Sequence, residues 1–367
     1  MWTADDYRHM ALAIQLADKP VFSPHPNPRV GCVIVKNDEV VGSGFHQYAG
    51  GPHAEVHALR EAGEKACSAT AYVSLEPCCH HGKTPPCTDA LIESGVNKII
   101  IAMLDPNPKV AGQGVQRLRD AGIEVQSGLL EADSVKLNPG FIKRMTKGLP
   151  WVRIKLAASL DGRTAMASGE SQWITGTQAR QDVQRLRAKS DAILTGIGTV
   201  IADDPQLTVR DLDVSIETER QPLRVVLDSA LQISPSAKIL HQAGDTWVFT
   251  KKSDSTKTFN ESVQIKMCEQ AGKRIDLVHV LEELAANEIN EVHIEAGTTL
   301  NGALLAADLV DELVLYMAPI VMGDESKGMF NIPAIKQMAD KINFEMLDVR
   351  MIGNDMRLTL KPLVTGN

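Results

Sequence analysis

The fold of this chain follows from HAE at residues 53–55 and from EPCCHHGKTPPC at residues 76–87. The pattern around these letters predicts a helix from His53 to about Cys67, a strand at residues 71–75 that leads into Glu76, and a helix at residues 88–94. Strands that alternate with helices are typical of an α/β domain. The motif residues would then lie where strands and helices meet.

The same alternation extends in both directions along the chain. In the first half we expect a helix at residues 4–17, strands at 30–35 and 40–44 joined at Asn37-Asp38, and strands at 98–103 and 124–126. In the second half we expect a helix at residues 177–189 and strands at 151–157, 192–195, 223–227, 246–249, 291–294 and 312–316, closed by a hairpin at 342–350 and 356–361. This order predicts a mostly parallel sheet with an antiparallel end. Gly148 and Pro150 mark a boundary, so we expect domains at residues 1–147 and 148–367.

Composition excludes several classes of protein. The chain has 367 residues, 44% hydrophobic and 23% charged, with a net charge of −8. Because nucleic-acid binding requires clustered Lys and Arg and neither half of the chain is basic, we expect no nucleic-acid partner. A membrane span needs roughly 20 apolar residues in a row, and the sequence has no such run. Of the six cysteines, three crowd into residues 78–87. That spacing favours metal binding in a reducing compartment, so we expect the cytoplasm.

The opening stretch carries the elements of a catalytic zinc site. Its order matches the His-x-Glu…Pro-Cys-x-x-Cys pattern of zinc-dependent nucleobase deaminases, except that eight residues, not two, separate Cys78 from Cys87. His53, Cys78 and Cys87 would supply three ligands and leave the fourth position to water, whose pKa zinc lowers towards neutrality. Glu55 would carry the proton from that water to the substrate. We expect Pro77 to begin a helix and to place Cys78 at its N-terminus, where a thiolate is favoured.

Two neighbours compete for roles at this site. Cys79 could replace Cys78 as a ligand, although Cys78 directly follows the proline as the pattern requires. The spacing of His57 from His53 matches that of a His-Glu-x-x-His zinc motif, but the glutamate is misplaced, so a structural role suits His57 better. The eight residues between Cys78 and Cys87 contain His80 and Lys83. These side chains would suit an anionic substrate, most simply a phosphate.

Longer motifs resemble the family of bifunctional deaminase/reductase enzymes of riboflavin biosynthesis. The matching segments are PNPRVG at 26–31, GFH at 44–46, HAE at 53–55, EPCCHHGKTPPC at 76–87, KLAASLDG at 155–162, GESQWIT at 169–175, ADDPQLTVR at 202–210 and EAG at 295–297. The long Cys–Cys loop is the most specific of them. Cys79 departs from the family, in which serine often occupies that place.

The resemblance implies an α/β chain with an N-terminal cytidine-deaminase-like domain and a C-terminal dihydrofolate-reductase-like domain. The substrate would be a phosphorylated pyrimidine, 2,5-diamino-6-(5-phosphoribosylamino)pyrimidin-4(3H)-one. The first domain would replace its exocyclic amine, and the second would reduce the ribosyl group to ribityl with NADPH. In the first domain the resemblance implies substrate contacts from Asn27, His46, His80, Lys83 and Asp105, and zinc binding by His53, Cys78 and Cys87.

In the second domain the residues themselves give a weaker signal. Gly196-Ile197-Gly198-Thr199 is half of a dinucleotide pattern, and residues 295–303 run from a strand through a glycine turn into a helix, whose free N–H groups could bind a cofactor phosphate. We place Lys155, Asp203 and Glu295 at strand ends or in loops, and the resemblance makes them the catalytic polar set. It also implies substrate contacts from Ser171, Arg187, Leu207, Arg210 and Glu295, and NADPH contacts from Ala157, Trp173, Thr199, Asp203, Ser229, Gly297, Thr298, Thr299, Leu300, Asn301, Gly302 and Ala303.

Two other functions remain open from the sequence alone. One is a deaminase of tRNA or of a free nucleoside with an unrelated second domain; the acidic charge and the second-half motifs oppose it. The other is a structural zinc protein, but such sites use four protein ligands and do not need Glu55. We expect a homo-oligomer, a dimer or a tetramer, and no membrane partner.

Overall fold

The computed structural model describes residues 1–19, 25–80, 85–108, 110–211, 220–253, 256–268 and 274–363. The chain divides into two compact units, Met1–Leu149 and Pro150–Asn367. Among the described residues, no helix combines the length and the apolar character that a membrane crossing requires.

The first unit is built on a five-stranded sheet. Its elements in chain order are α1 (Ala4–Ala17), β1 (Gly31–Lys36), β2 (Glu39–Phe45), α2 (Ala54–Ala62), β3 (Thr70–Val73), α3 (Cys87–Glu93), β4 (Lys98–Ile101), α4 (Gln113–Asp120), β5 (Glu124–Ser127), α5 (Glu131–Leu137) and α6 (Pro139–Lys147). The strand order is β2-β1-β3-β4-β5, with β1 antiparallel to its neighbours and β3, β4 and β5 parallel. The hairpin turns at Asn37 and Asp38, as predicted.

Both faces of this sheet are covered, as the apolar β-strands require. On one face α1 packs Met10 and Ala13 against Val33 and Ile100. On the other face α2 contributes Ala54 and Ala58 to a cluster with Ile34, Ile99 and Leu118. Burial on both sides is typical of strands with continuous apolar runs. The sheet therefore holds the segments that follow its strands in fixed positions.

The second unit contains a nine-stranded sheet. Its elements are β6 (Trp151–Ser159), β7 (Arg163–Ala165), α7 (Thr177–Lys189), β8 (Ala192–Gly196), α8 (Ile197–Asp203), β9 (Leu223–Leu227), β10 (Thr246–Thr250), β11 (Val263–Met267), α9 (Leu277–Ala286), β12 (Glu291–Ile294), α10 (Thr298–Ala306), β13 (Glu312–Ala318), β14 (Lys327–Gly328), β15 (Asn343–Ile352) and β16 (Asp355–Leu363). The order is β11-β10-β9-β8-β12-β6-β13-β16-β15, and β7 pairs with β14 in a separate small sheet.

The prediction of a mostly parallel sheet with an antiparallel end is confirmed. The first seven strands in that order, from β11 to β13, pair in parallel. The last two, β16 and β15, pair antiparallel. The predicted location of Lys155 at a strand end is wrong. Lys155 lies in the middle of β6, because β6 is paired on both sides and continues to Ser159.

Candidate active sites

Three side chains from separate elements meet in the first unit. The Nδ1 atom of His53 lies 2.9 Å from the Sγ atom of Cys87 and 3.5 Å from that of Cys78, and the two Sγ atoms are 3.3 Å apart. Among the described residues this is the one group of three side chains whose atoms could bind a shared metal ion. One imidazole and two thiolates form a donor set that suits zinc and leaves a tetrahedral position open.

Local structure explains how His53 reaches this position. His53 is the N-cap of α2, and the helix begins at Ala54. Gly44 on β2 lets the helix lie directly against the strand, since a Cβ there would collide with the carbonyl of Ala54. The α2 N-terminus is thereby fixed over the end of the sheet. The predicted helix to about Cys67 is shorter than expected: α2 ends at Ala62 and a short 3₁₀ helix follows.

The prediction that Cys78 occupies a helix N-terminus is wrong. Residues 76–79 have no regular secondary structure, and the helix that follows begins at Cys87. Pro86 is its N-cap, so the second thiol, not the first, lies in the first turn. The backbone N–H of Cys87 donates to the Sγ of Cys78 (3.2 Å), which supports a thiolate on Cys78 in another way. Hydrogen bonds from Cys87 and His53 lower the pKa of Cys78 to about 4.

Glu55 lies in the first turn of α2 and is only 3% exposed. Burial, and then the negative charge of Cys78, raise its pKa to about 6. A carboxyl group with such a pKa can both accept and return a proton near neutrality. Cys79 and His57 are outside the group of metal-binding atoms formed by the described residues.

The predicted substrate residues of the first unit divide into three sets. Asn27 and His46 lie beside the metal ligands: Asn27 Nδ2 is 3.1 Å from His46 Nε2, and the rings of His46 and His53 are 5.2 Å apart. Asp105 interacts electrostatically with His80 and Cys78, and burial raises its pKa to about 6. Lys83 lies outside the described residues, with the other residues of the loop at positions 81–84.

The second unit holds a buried charged network where β12 ends. Arg187 on α7 donates from Nε and from its terminal nitrogen to the two carboxylate oxygens of Glu295 (2.5 and 2.9 Å). His293 Nε2 is 3.4 Å from the same carboxylate. Burial alone would raise the pKa of Glu295, but the charge of Arg187 and its two hydrogen bonds, with the ring of His293 close by, hold it well below its usual range. Glu295 is therefore ionised at neutral pH.

Lys155 lies on β6, beside this network. Burial, and then the charge of Arg187, lower its pKa, while the charge of Glu295 acts in the opposite direction. Its Nζ atom lies 5.9 Å from the ring centre of Tyr316, whose hydroxyl donates to Asp182 (2.6 Å). Sequence reasoning missed His293, Tyr316 and Asp182, since isolated residues within apolar strands and helices give no signal of function.

Some of the other predicted residues of the second unit follow the carboxyl ends of its strands: Ser229 comes after β9, and residues 297–303 form the N-cap and first turns of α10 after β12. Thr199 and Asp203 are on α8, so the predicted location of Asp203 at a strand end or in a loop is wrong; the helix after β8 continues through it. Leu207 packs into an apolar cluster with Ile193 and Val226, and exposed Arg210 bonds to Gln206 (2.7 Å). Trp173 is 70% exposed with Arg180 over its ring, and Ala157 and Ser171 are partly exposed.

Three buried polar atoms at this edge lack a hydrogen-bond partner among the described residues. They are Thr195 Oγ1, Asp228 Oδ1 and Asn301 Oδ1. They come from the ends of β8 and β9 and from the first turn of α10, which follows β12, and these strands are neighbours in the sheet. Buried polar groups without partners are rare in folded proteins. A polar cofactor along this edge would satisfy them, so the residues fit a dinucleotide.

Comparisons with known proteins give a family for each half of the chain. A family model described as cytidine and deoxycytidylate deaminase zinc-binding region matches residues 3–103, and one described as RibD C-terminal domain matches residues 150–358. The riboflavin biosynthesis protein RibD of Escherichia coli is 51% identical over 97% of this chain and 99% of its own length.

Solved structures extend the likeness to the whole chain. Acinetobacter baumannii RibD has a TM-score of 0.91 at 48% identity, covering 98% of this chain and 99% of its own. A Thermotoga maritima protein has a TM-score of 0.87 at 34% identity, with the same coverage. It is described as a diaminohydroxyphosphoribosylaminopyrimidine deaminase/5-amino-6-(5-phosphoribosylamino)uracil reductase.

Proposed function

This chain belongs to the RibD family of riboflavin-biosynthesis proteins, and we propose which of its residues carry out the family's two reactions. The enzyme is bifunctional: a zinc-dependent deaminase is followed by an NADPH-dependent reductase. The alternative of an unrelated second domain is wrong, because the RibD C-terminal model matches residues 150–358. We assign the deaminase to the unit Met1–Leu149 and the reductase to the unit Pro150–Asn367.

In the deaminase, His53, Cys78 and Cys87 hold the zinc ion. When bound, zinc supplies the Lewis acidity that makes water nucleophilic at neutral pH. Oxygen from water adds to the pyrimidine carbon that carries the exocyclic amine, and the C–N bond then breaks to release ammonia. Glu55 takes the proton that water loses and delivers it to the departing nitrogen. The observation that supports this role is a buried carboxyl two residues from His53, with a pKa raised to about 6.

The remaining residues of the first unit orient the substrate. Asn27 and His46 are coupled to each other beside His53, which suits them to the pyrimidine edge. Asp105 would accept from an amino group of the ring. His80 and Lys83 carry the cationic or donor groups that a ribose phosphate requires.

In the reductase, NADPH supplies the hydride when it is bound. The hydride goes to the ribosyl carbon attached to nitrogen, and the ribose ring oxygen takes a proton as the ring opens to ribityl. Lys155, with its lowered pKa, is the group best suited to manage that proton, and Glu295 and Asp203 orient the ribose. Arg187 holds Glu295 in place. Ser171, Leu207 and Arg210 contact the substrate, with exposed Arg210 facing its phosphate.

Residues at the carboxyl ends of β9, β8 and β12 would hold the cofactor. The N–H groups at Gly297–Ala303 would receive its phosphates at the start of α10. The orphaned oxygens of Thr195, Asp228 and Asn301 support this placement. The further contacts are Ala157, Trp173, Thr199, Asp203 and Ser229.

One surface feature supports a proposal for the assembly, and the cysteines support one for the location. The edge strand β15 exposes Met346, Leu347, Val349 and Met351, which supports burial of this edge in a homo-oligomer, a dimer or a tetramer. Light scattering on the purified protein measures the mass directly, and a monomer would contradict the proposal. None of the six cysteines, all of which are described, forms a disulfide bond, which supports a location in the cytoplasm.

One experiment tests both reactions. The protein is incubated with 2,5-diamino-6-(5-phosphoribosylamino)pyrimidin-4(3H)-one, with and without NADPH, and the products are identified by mass. Without NADPH we expect one amine to be replaced by an oxo group. With NADPH we expect two additional hydrogens in the product. Ammonia release without NADPH oxidation would contradict the reductase assignment.

A further inference from the structure

Glu76 lies between β3 and the metal ligand Cys78, and neither proposed reaction uses it. Its carboxylate is buried, with 4% of the residue exposed. It accepts three backbone hydrogen bonds: Oε2 from the N–H groups of Asp105 (3.1 Å) and Gly112 (2.9 Å), and Oε1 from that of Val115 (3.1 Å). Hydrogen bonds to an ionised acceptor are about twice as strong as neutral ones.

These donors belong to the segment that ends in α4. Gly112 is the N-cap of this helix, and a glycine has no side chain that could accept a hydrogen bond from the first turn. Glu76, from 36 to 39 positions earlier in the chain, takes that place. A carboxylate at a helix N-terminus is also favoured by the helix dipole. Glu76 therefore anchors α4 to the metal-binding segment.

Packing reinforces the link. A Cβ at Gly114 would collide with the carbonyl oxygen of Pro77, so the first turn of α4 lies directly against the residue before Cys78. The backbone N–H of Glu76 donates to the carbonyl oxygen of Met103 (3.0 Å), just after β4. Hydrogen bonds and direct packing therefore join residues 76–78 to Asp105 and to the start of α4.

The link between Glu76 and the start of α4 also fixes the position of Asp105. Its N–H is held by Glu76, and its carboxylate accepts from the N–H of Asn107 (2.8 Å). Both its backbone and its side chain are therefore constrained. The carboxylate is close enough to Cys78 and His80 to interact with them electrostatically.

We propose that Glu76 is a positioning residue of the deaminase, which sets the distance between the metal ligands and Asp105 so that the pyrimidine fits between them. The inference rests on the substrate contact assigned to Asp105 under the proposed function. Glu76 itself touches neither the metal nor the substrate. It acts on substrate affinity through Asp105, whereas a merely structural residue would affect the stability of the whole unit.

A double-mutant cycle tests this role with the full-length, zinc-loaded enzyme. The variants are E76Q, D105N and the double variant, and the readouts are kcat and KM for ammonia release. Because Gln offers one acceptor oxygen to three donors, we expect E76Q to raise KM about tenfold, with D105N raising it at least as much. The double variant should have the KM of D105N alone, since Glu76 acts through that residue.

The controls are zinc content, NADPH oxidation with the deaminated substrate, and E61Q. Glu61 also accepts a backbone N–H, that of Ser43 (2.7 Å), but it lies away from Asp105 on the exposed end of α2. All three controls should match the wild type. If E76Q is isolated without zinc, E76D replaces it in the cycle, because it keeps the charge and shortens the reach by one methylene.

Amide hydrogen exchange measures the link without substrate. We expect the amides of Asp105, Gly112 and Val115 to exchange faster in E76Q and at the wild-type rate in E61Q. Wild-type exchange in both variants would contradict the link. If D105N raises KM and E76Q does not, or if the KM of the double variant is raised by the product of the two single effects, the role of Glu76 is overturned. The assignment of Asp105 as a substrate contact then stands. If D105N leaves KM unchanged, the assignment of Asp105 as a substrate contact is wrong, and the role of Glu76 is overturned with it.

Discussion

At the scale of single residues, Glu55 gives the sharpest test of the deaminase. Glu55→Gln keeps the shape of the side chain but removes its ability to carry a proton. We expect ammonia release to fall by at least about 100-fold, the usual contribution of a general acid/base. Zinc content, measured by atomic absorption, and NADPH oxidation should both remain. Loss of zinc from this variant would mean that Glu55 has a ligand role instead.

A second residue-scale test separates the adjacent thiols. Cys78 Sγ lies 3.5 Å from His53 Nδ1 and 3.3 Å from Cys87 Sγ, whereas Cys79 does not join that group. We therefore expect Cys78→Ser to lose stoichiometric zinc and Cys79→Ser to retain it. Metal analysis of the two purified variants decides the matter, and the reverse result would exchange the two assignments.

At the scale of elements, the ion pair between α7 and the end of β12 makes stability depend on pH. The folded state holds the pKa of Glu295 well below its usual value, so the stabilisation is present above the unfolded pKa of about 4.3 and is lost as pH falls through the folded value. Glu295→Gln leaves Arg187 buried without its charged partner, so we expect a loss of about 3–5 kcal/mol at pH 7.

The difference should shrink on acidification. Below about pH 4.3 the carboxylate of the wild-type protein binds a proton on unfolding, which lowers the free energy of unfolding. The free energies of unfolding of the two proteins therefore approach each other as pH falls. Urea denaturation at several pH values, followed by a signal from the second unit, measures this. A difference that stays constant down to the folded pKa would mean that the ion pair is not the source of the stabilisation.

Element boundaries were largely predictable where periodicity was long. The helices α1 and α7 begin and end where the sequence placed them, because their apolar spacing and flanking residues agree. The helix predicted at residues 88–94 is α3 (Cys87–Glu93), but the helix start predicted at Pro77 is wrong, because residues 76–79 have no regular secondary structure. In that segment Glu76 and Cys78 bond to residues distant in the sequence, and local preference does not show such contacts.

At the scale of the whole molecule, the two activities should respond separately to loss of metal. The predicted ligands all lie in the unit Met1–Leu149, and the reductase residues all lie in the unit Pro150–Asn367. We expect a strong chelator to abolish ammonia release and to leave NADPH oxidation with the deaminated substrate unchanged. Readded zinc should restore the first reaction. Parallel loss of both activities would contradict the separation.

The order of the amino acids predicts the chemistry of this protein. The side-chain types and spacing of His53, Glu55, Cys78 and Cys87 predict a zinc site, and the strand and helix periodicity indicated the two α/β units. The role of Glu76 was not accessible in this way, although it stands inside the motif. Its partners are backbone N–H groups of Asp105, Gly112 and Val115. Every residue except proline has such a group, so the sequence does not indicate which of them are partners. Which of them a buried carboxylate meets is settled in three dimensions, because folding alone brings positions 29 to 39 residues apart within hydrogen-bonding distance.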